Sequence, residues 1–232
     1  MAKRSDGKET RRKILNAAAR LFSEGGFKQT SNAAISKACG VNGALINYYF
    51  GDKETIYREA WQYSLRESLK KYPQDGGVSA DAPVRERLYA IVAATVRRYS
   101  DPQCFDAGIL NQEIASPTGL LENVHENTIF RLRENLMRVV SEYLGEEVSE
   151  EELRMSVYSI IAMCVSPQKK IQRIEKTEPF PYDVEKRIEH AYCFSVGGLD
   201  AVKKLALRKR DAALRGNGEE RISAETAGKT SA

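Results

Sequence analysis

The sequence predicts an all-α protein with a small N-terminal three-helix domain and a larger helical domain behind it. Apolar residues recur at intervals of three and four through most of the 232 residues, as amphipathic helices require, and strand-like alternation is nearly absent. Hydrophobic residues make up 42% of the chain, which is enough to bury a core in both domains.

Capping residues and glycines predict where the first four helices begin and end. Ser31, Asn42 and Asp52 can each accept a hydrogen bond from the turn that follows, as N-cap residues do. Gly25-Gly26 and Gly40 follow the first and second predicted helices, and glycine is favoured just beyond a helix C-terminus. The four predicted helices cover about residues 9–24, 31–39, 43–49 and 52–72.

Beyond a Gly/Pro/Asp/Ser-rich loop over residues 73–81, the pattern predicts further helices. Proline is favoured at the first position of a helix, and three sites have it there: Pro83, Asp101-Pro102 and Ser116-Pro117. The last of these is predicted to open a long helix that reaches about Leu144. Ser149 and Glu152 form an S-x-x-E capping box, and Asp183 is predicted to cap a final helix that ends near Leu207.

The second and third helices, joined by a turn that contains glycine, have the form of a helix-turn-helix. Ile46 and Phe50 are expected to face inward against Phe22 and Ile35, which leaves an outward face without any charge. Amides can bond adenine in the major groove, and aromatic or apolar groups can contact the thymine methyl. This face therefore predicts contact with double-stranded DNA through Asn42, Gly43, Ala44, Leu45, Asn47, Tyr48 and Tyr49. An alternative is that either tyrosine packs against the fourth helix.

Other residues of this region are expected to contact the phosphate backbone, which positions a protein without reading sequence. Ser31 and Asn32 lie at the start of the second helix, where amide groups favour anions, and Lys53 begins the fourth. Residues 1–13 carry six basic side chains that can add diffuse attraction, although a solvated basic tail is the other interpretation.

The stretch Thr30–Tyr57 resembles the DNA-binding domain of the TetR family of regulators; it reads TSNAAISKACGVNGALINYYFGDKETIY. The helix-one segment RKILNAAARLFSEGGF fits the same pattern. The resemblance implies an all-helical homodimer, repression as the usual mode and a small-molecule pocket in the C-terminal domain. It places DNA contacts at Asn42, Gly43, Leu45, Asn47, Tyr48, Tyr49 and Lys53. Ala33 and Leu45 depart from residues frequent in the family, which leaves the operator sequence open.

The C-terminal domain is similar, more loosely, to the CecR-like branch of that family, on the segments NQEIASPT (Asn111–Thr118) and HAYCFSVGGL (His190–Leu199). Candidates for the lining of an effector pocket put aromatic or polar groups on otherwise apolar helices. They are Tyr99, Phe105, Asn111, Glu113, Phe130, Tyr158 and Met163, and the alternative for each is ordinary core packing. Glu113 on such a lining favours a cationic or hydroxyl-bearing effector.

The chain is accordingly predicted to contain a DNA-binding domain over residues 1–57 and a helical regulatory and dimerisation domain over 58–207. The two most apolar late helices, about 149–165 and 183–207, are expected to form the dimer interface. Residues 208–232 are polar and poor in large apolar side chains, which predicts a disordered tail.

Catalysis, metal binding and cofactor binding are not expected. The two histidines are far apart, and no P-loop, GxGxxG, GxSxG or HExxH motif occurs. Four separated cysteines without a CxxC pair, no signal peptide and no long apolar run predict a reduced, cytoplasmic protein that makes no membrane contact. The alternatives left open are an architectural DNA-binding protein without a ligand, an activator or a purely protein-sensing regulator, and redox sensing by one cysteine.

Overall fold

The computed structural model describes the backbone of residues 2–165 and 183–229, and the side chains of residues 7–121, 133–165 and 183–212. Every regular element of the described backbone is a helix, which confirms the all-α prediction. The helices are α1 (Ala2–Gln29), α2 (Asn32–Cys39), α3 (Gly43–Phe50), α4 (Lys53–Lys71), α5 (Val84–Ser100), α6 (Phe105–Ala115), α7 (Glu122–Leu144), α8 (Glu150–Val165) and α9 (Val184–Lys229).

The predicted caps of α2, α3 and α4 are confirmed. Ser31 Oγ accepts the amide of Ala34 at 3.1 Å, and Asn42 Oδ1 accepts the amide of Ala44 at 2.9 Å. Asp52 Oδ1 accepts the amide of Thr55 at 2.7 Å, and hydrogen bonds from the Thr55 side chain and from this amide lower the pKa of the Asp52 carboxyl. Each cap fixes a helix start within the first turn, where amide groups have no partner inside the helix.

Two predicted bounds of α1 are wrong. The helix begins at Ala2 rather than near Glu9, and it continues to Gln29 beyond the expected stop at Gly25-Gly26. Gly26 does leave the helical region, with φ 71° and ψ 179°, so the predicted break is present as an interruption rather than as an end.

Two predicted helix starts are also wrong. α6 begins at Phe105 rather than at Asp101-Pro102, because the Asp101 carboxylate accepts the amide of Gln103 at 2.9 Å and closes a turn instead. α7 begins at Glu122 rather than at Ser116-Pro117. There Glu113 Oε1 accepts the amide of Thr118 at 2.7 Å and holds a non-helical connection.

The capping box before α8 and the cap before α9 are confirmed. Ser149 and Glu152 exchange hydrogen bonds between side chain and backbone amide in both directions, each at 3.2 Å. Asp183 Oδ1 accepts the amide of Glu185 at 3.1 Å.

The predicted end of the last helix near Leu207 is wrong, because α9 continues to Lys229. The segment after Leu207 is rich in Ala, Arg, Lys and Glu, which favour helix without burying apolar surface. Lys209 contacts Glu152 at 2.8 Å, and Arg210 contacts Glu147, so ion pairs with the α8 region hold its first turn.

The helices pack into two compact units. The first contains the residues up to Gly77 together with Ala93–Arg133, so it joins α1–α4 to α6 and to parts of α5 and α7. Its core includes Phe22, Ile35, Tyr57, Trp61 and Ile109. The second contains residues 78–92 and the described residues after 133, with Leu88, Val140, Ile160, Ile188 and Leu199 buried in it. The functional division at residue 57 stays a prediction.

Candidate nucleic-acid interface

The core beneath the helix-turn-helix has the predicted composition. Ile46 and Phe50 of α3 are buried with Phe22 of α1 and Ile35 of α2 in one cluster. These four side chains fix the rotation of α3 about its own axis. The face opposite Ile46 and Phe50 is therefore held toward solvent.

That outward face is exposed as the sequence predicts. Tyr48 is 80% exposed and Leu45 is 42% exposed, and Asn42, Ala44 and Asn47 are exposed as well. Tyr49 is half-buried, with its ring centroid 5.3 Å from that of Tyr48 in an edge-to-face arrangement. Contacts within the protein thus bury part of the Tyr49 side chain and leave most of the Tyr48 side chain exposed.

Gly43 is the first residue of α3, and the space beside its Cα atom is open. A Cβ atom at this position would meet no heavy atom within 4 Å. Glycine is less favourable than alanine in a helix, and neither backbone strain nor internal packing requires it here. The position therefore suits close approach by a molecule outside the chain.

The turn between α2 and α3 is closed by hydrogen bonds between residues close in the chain. Gly40 adopts the left-handed conformation at φ 67°, which glycine tolerates better than other residues. The amide of Val41 donates to Ser36 O at 3.2 Å, and Ser36 Oγ donates to Val41 O at 2.5 Å. These bonds set the angle at which α3 leaves the turn.

Ser31 and Asn32, the candidate phosphate-contacting residues at the start of α2, differ in their exposure. Ser31 is exposed, and its hydroxyl can still donate a hydrogen bond while its oxygen caps the helix. Asn32 is half-buried, and its Oδ1 is buried without a hydrogen-bond partner among the described residues.

Lys53 has a role within the protein that sequence reasoning missed. Its ammonium donates to Phe27 O at 3.0 Å and to Thr30 O at 3.1 Å, and it lies 4.0 Å from the centroid of the Phe27 ring. It therefore ties the end of α1 to the start of α4. One of its three N–H donors is left for an external acceptor.

The candidate effector-pocket residues are divided between the two units. Tyr99, Phe105, Asn111 and Glu113 belong to the first unit and are half-buried. Met163 and Tyr158 belong to the second unit, and Tyr158 is 54% exposed on α8. The side chain of Phe130 lies outside the described residues.

Glu113 is occupied by contacts within the first unit. Its carboxylate accepts hydrogen bonds from the Tyr57 hydroxyl at 2.8 Å, from the amide of Thr118 at 2.7 Å, from the Thr118 hydroxyl at 2.9 Å and from the amide of Gly119 at 3.1 Å. Burial and the bond to Glu113 raise the pKa of the Tyr57 hydroxyl far above its ordinary value, so that it remains a donor. Glu113 thus links α4 to the α6–α7 connection.

Two surface grooves lie in the second unit, and neither is lined by a predicted pocket residue. One of about 830 Å³ is lined by Glu134, Met137, Arg138, Ser141, Glu142 and Leu153. The other, of about 420 Å³, is lined by His190, Cys193, Phe194, Gly197 and Gly198.

The contacts that join α6 to the helix-turn-helix are the main feature that sequence reasoning missed. Gln112 Nε2 donates to Glu24 O at 3.1 Å, and the backbone of Gly108 lies directly against Ser23 of α1. Partners more than eighty residues apart have no pattern in common, so no sequence signal identifies this junction.

Within the described residues, no helix is long and apolar enough to cross a bilayer. Across the same part of the chain, no group of three or more His, Cys, Asp or Glu side chains is arranged to hold a metal ion.

Comparison with known families matches both parts of the chain. Residues 14–60 match the sequence model of the tetR family of bacterial regulatory proteins. Residues 84–199, half of the chain, match the model of the C-terminal domain of the HTH-type transcriptional dual regulator CecR.

Individual relatives are more distant. BetI, an HTH-type transcriptional regulator of Burkholderia thailandensis, is 28% identical over 59% of this chain and 66% of its own length. AcrR, another such regulator, from Shigella flexneri, is 41% identical over 26% of this chain and 28% of its own length. Both matches thus span less than two thirds of the relative. The crystal structure of a TetR-like transcriptional regulator from Rhodococcus sp. RHA1 is similar in fold, with a TM-score of 0.64 at 15% identity, over 82% of this chain and 96% of that one.

Proposed function

The chain belongs to the TetR family of transcriptional regulators, and from this premise we propose that it is a cytoplasmic repressor. In this proposal a homodimer binds a palindromic operator through α3, and a small molecule that binds the C-terminal domain releases it. The observation that carries the proposal is the exposed, uncharged face of α3. Tyr48, Asn47 and Leu45 contribute little to the core, and their side chains suit base edges and thymine methyl groups.

The proposed contacts divide into two kinds. Asn42, Gly43, Leu45, Asn47, Tyr48 and Tyr49 read base edges or approach the groove, whereas Ser31, Asn32 and Lys53 contact phosphates. The N-terminal amides of α2 point away from their own helix, and anions bind well at such ends. Lys53 contributes through the one N–H that the α1 carbonyls leave unused.

Substitution of Asn47 tests the base-reading role. We expect Asn47→Ala to reduce binding to the preferred sequence by about 1–3 kcal/mol for each copy of the dimer, the value of one bidentate amide–adenine contact. The slope of log affinity against log salt should not change, because no phosphate contact is lost. The measurement is fluorescence anisotropy on a duplex enriched from a random-sequence library by the wild-type protein.

Asn16→Ala is the matched control, since Asn16 is an exposed asparagine on the side of α1 away from α3. It should leave both affinity and sequence preference unchanged. The base-reading assignment of Asn47 is wrong if Asn47→Ala enriches the same sequences as the wild type. The wider proposal fails if the wild type enriches no two-fold symmetric sequence.

The exposed apolar surface of the second unit supports the homodimer. Met155 of α8 is 61% exposed and Phe194 of α9 is 65% exposed. Gly197 and Gly198, which line the 420 Å³ groove, would each accept a Cβ without contact inside the chain. Small residues that internal packing does not require suit close approach of a helix from a second copy. Two helices from each copy then form a four-helix bundle.

We expect the wild type to show twice the monomer mass in light scattering at micromolar concentration, and Phe194→Asp to show the monomer mass. A charge at this position is costly to bury in an apolar interface. Ile114→Asp is the control, because Ile114 is equally exposed but lies on α6 of the first unit. A monomeric wild type, or a dimer that tolerates Phe194→Asp, contradicts this interface.

The contacts around α6 support control of DNA binding by an effector. A ligand changes DNA affinity only if it binds the two conformations of the protein unequally. Gln112 joins α6 to α1, and Glu113 joins the α6–α7 connection to Tyr57 of α4, so a shift of α6 moves helices of the DNA-binding region. Tyr99 of α5 and Phe105 and Asn111 of α6 remain proposed lining residues, whereas Glu113 forms the link to α4.

A thermal-shift screen of amphipathic small molecules tests the effector. Compounds that raise the melting temperature are then added to the complex of wild-type protein with its enriched duplex. Release of the duplex by at least one stabilising compound supports regulation by a ligand. Stabilisation without release by any compound favours a ligand-independent role.

A further inference from the structure

The part of α1 that precedes the family match has contacts of its own with the helix-turn-helix. The match to the tetR family begins at residue 14, whereas α1 begins at Ala2. Residues 2–13, here called the N-terminal segment, therefore add about three helical turns ahead of the family domain.

The N-terminal segment contacts the C-terminal end of α3 and the helix that follows it. A Cβ at Gly7 would lie 3.2 Å from the Tyr49 hydroxyl, so the two are in close contact. One turn later, the Arg11 guanidinium lies 5.2 Å from the centroid of the Phe50 ring and pairs with Glu59 of α4. One turn further on, Leu15 is buried in the common core. Residues 7, 11 and 15 share one helix face, and that face is directed at α3 and α4.

Lys8 directly follows Gly7 in the chain, so it lies next to the contact with Tyr49 of α3. Lys8 is exposed and forms no ion pair within the described residues, and it lies about 60° around the helix from Arg11. Lys13 is also exposed and without an ion pair in that part of the structure, but it lies about 160° from Arg11, on the far side of α1. Since α3 has no charge, attraction to phosphates on this side has to come from a neighbouring element.

We propose that the N-terminal segment forms a second DNA contact, in which Lys8 binds a backbone phosphate beside the groove that α3 enters. The Gly7–Tyr49 contact sets the position of Lys8 relative to α3. The inference rests on the proposed DNA-binding role of α3 and adds a contact outside the family domain. A phosphate contact of this kind strengthens binding to every sequence equally.

The test compares Lys8→Ala with Lys13→Ala, two substitutions that remove the same charge from exposed positions of one helix. Each copy of the dimer loses one phosphate contact in Lys8→Ala, so the salt slope should fall by roughly 1.8. Affinity at about 0.1 M salt should fall on the order of tenfold or more, for the enriched duplex and for a mixed-sequence duplex alike. Lys13→Ala should show wild-type affinity and a wild-type slope, and the melting temperatures of both variants should match the wild type.

A second variant tests the position of the segment with every charge retained. Gly7→Leu places a side chain against the Tyr49 hydroxyl, so the N-terminal segment or the Tyr49 ring has to shift and the spacing between Lys8 and α3 changes. We expect a several-fold loss of affinity, with Lys8→Ala then causing little further loss in the Gly7→Leu background. Equal salt slopes for Lys8→Ala, Lys13→Ala and the wild type overturn the inference and leave the role of α3 intact. Failure of the wild type to prefer any sequence instead contradicts the proposed function, and the mixed-sequence duplex still reports on Lys8.

Discussion

Gly108→Ala is expected to lower the free energy of unfolding by about 1–3 kcal/mol, the usual cost of overpacking. A Cβ at position 108 would lie 2.9 Å from the Cβ of Ser23, and rotation of the Ser23 hydroxyl does not relieve that contact. The α1 and α6 backbones then have to separate. Helix propensity alone predicts that the free energy of unfolding increases, because alanine is more favourable than glycine inside a helix by about 1 kcal/mol. Urea unfolding of the wild type and of Gly108→Ala shows whether the substitution lowers or raises the free energy of unfolding.

Ser23→Gly in the same chain is the matched control for Gly108→Ala. It removes the Ser23 side chain and leaves Ser23 Cα, at 3.4 Å, as the nearest atom to the new methyl group. The double variant should therefore recover much of the stability lost by Gly108→Ala, whereas independent sites give additive losses. Additive losses contradict the proposed close approach of α6 to α1. Because this approach also carries the proposed signal from α6, Gly108→Ala should weaken operator release by an effector.

Asp106→Ala is expected to cost about 3–5 kcal/mol, the range found when one partner of a buried ion pair is removed. Arg98 of α5 pairs with Asp106 of α6, and the Asp106 side chain is only 2% exposed. Ser68 of α4 donates to Asp106 Oδ1 at 2.8 Å, so three helices of the first unit meet at this carboxylate. The truncated protein retains a buried guanidinium whose Nε already lacks a partner among the described residues. Urea unfolding again measures the loss.

Removing both charges should be much less harmful than removing one. We expect Arg98→Met combined with Asp106→Leu to be more stable than Asp106→Ala, since apolar side chains can replace a buried pair with little net cost. Glu67→Ala is the control for loss of an ion pair as such, because Glu67 and Lys70 pair on an exposed surface of α4. Such pairs contribute at most about 1 kcal/mol. A loss from Asp106→Ala no larger than that from Glu67→Ala shows that the Arg98–Asp106 pair does not hold these helices together.

Features that depend on interactions between neighbouring residues could be predicted from the sequence. The caps at Ser31, Asn42 and Asp52, the turn at Gly40 and the inward Ile46 all follow from interactions within about one helical turn. For this reason the helix-turn-helix, including the exposed face of α3, was predictable residue by residue. The helix starts placed at Asp101-Pro102 and Ser116-Pro117 were wrong because Asp101 and Glu113 close non-helical turns instead.

Contacts between residues distant in the chain could be identified only in the folded structure. Lys53 donates to the carbonyls of Phe27 and Thr30. Glu113 accepts from the Tyr57 hydroxyl, and Gly108 lies against Ser23. In each case the partners are at least 23 residues apart, and the choice among many acceptable partners depends on how whole helices pack. Helix propensity and capping operate over one turn, whereas packing selects the side chains that meet across the core. The sequence therefore predicted the surface that DNA is proposed to contact, and the fold alone identified α6 as the helix joined to it.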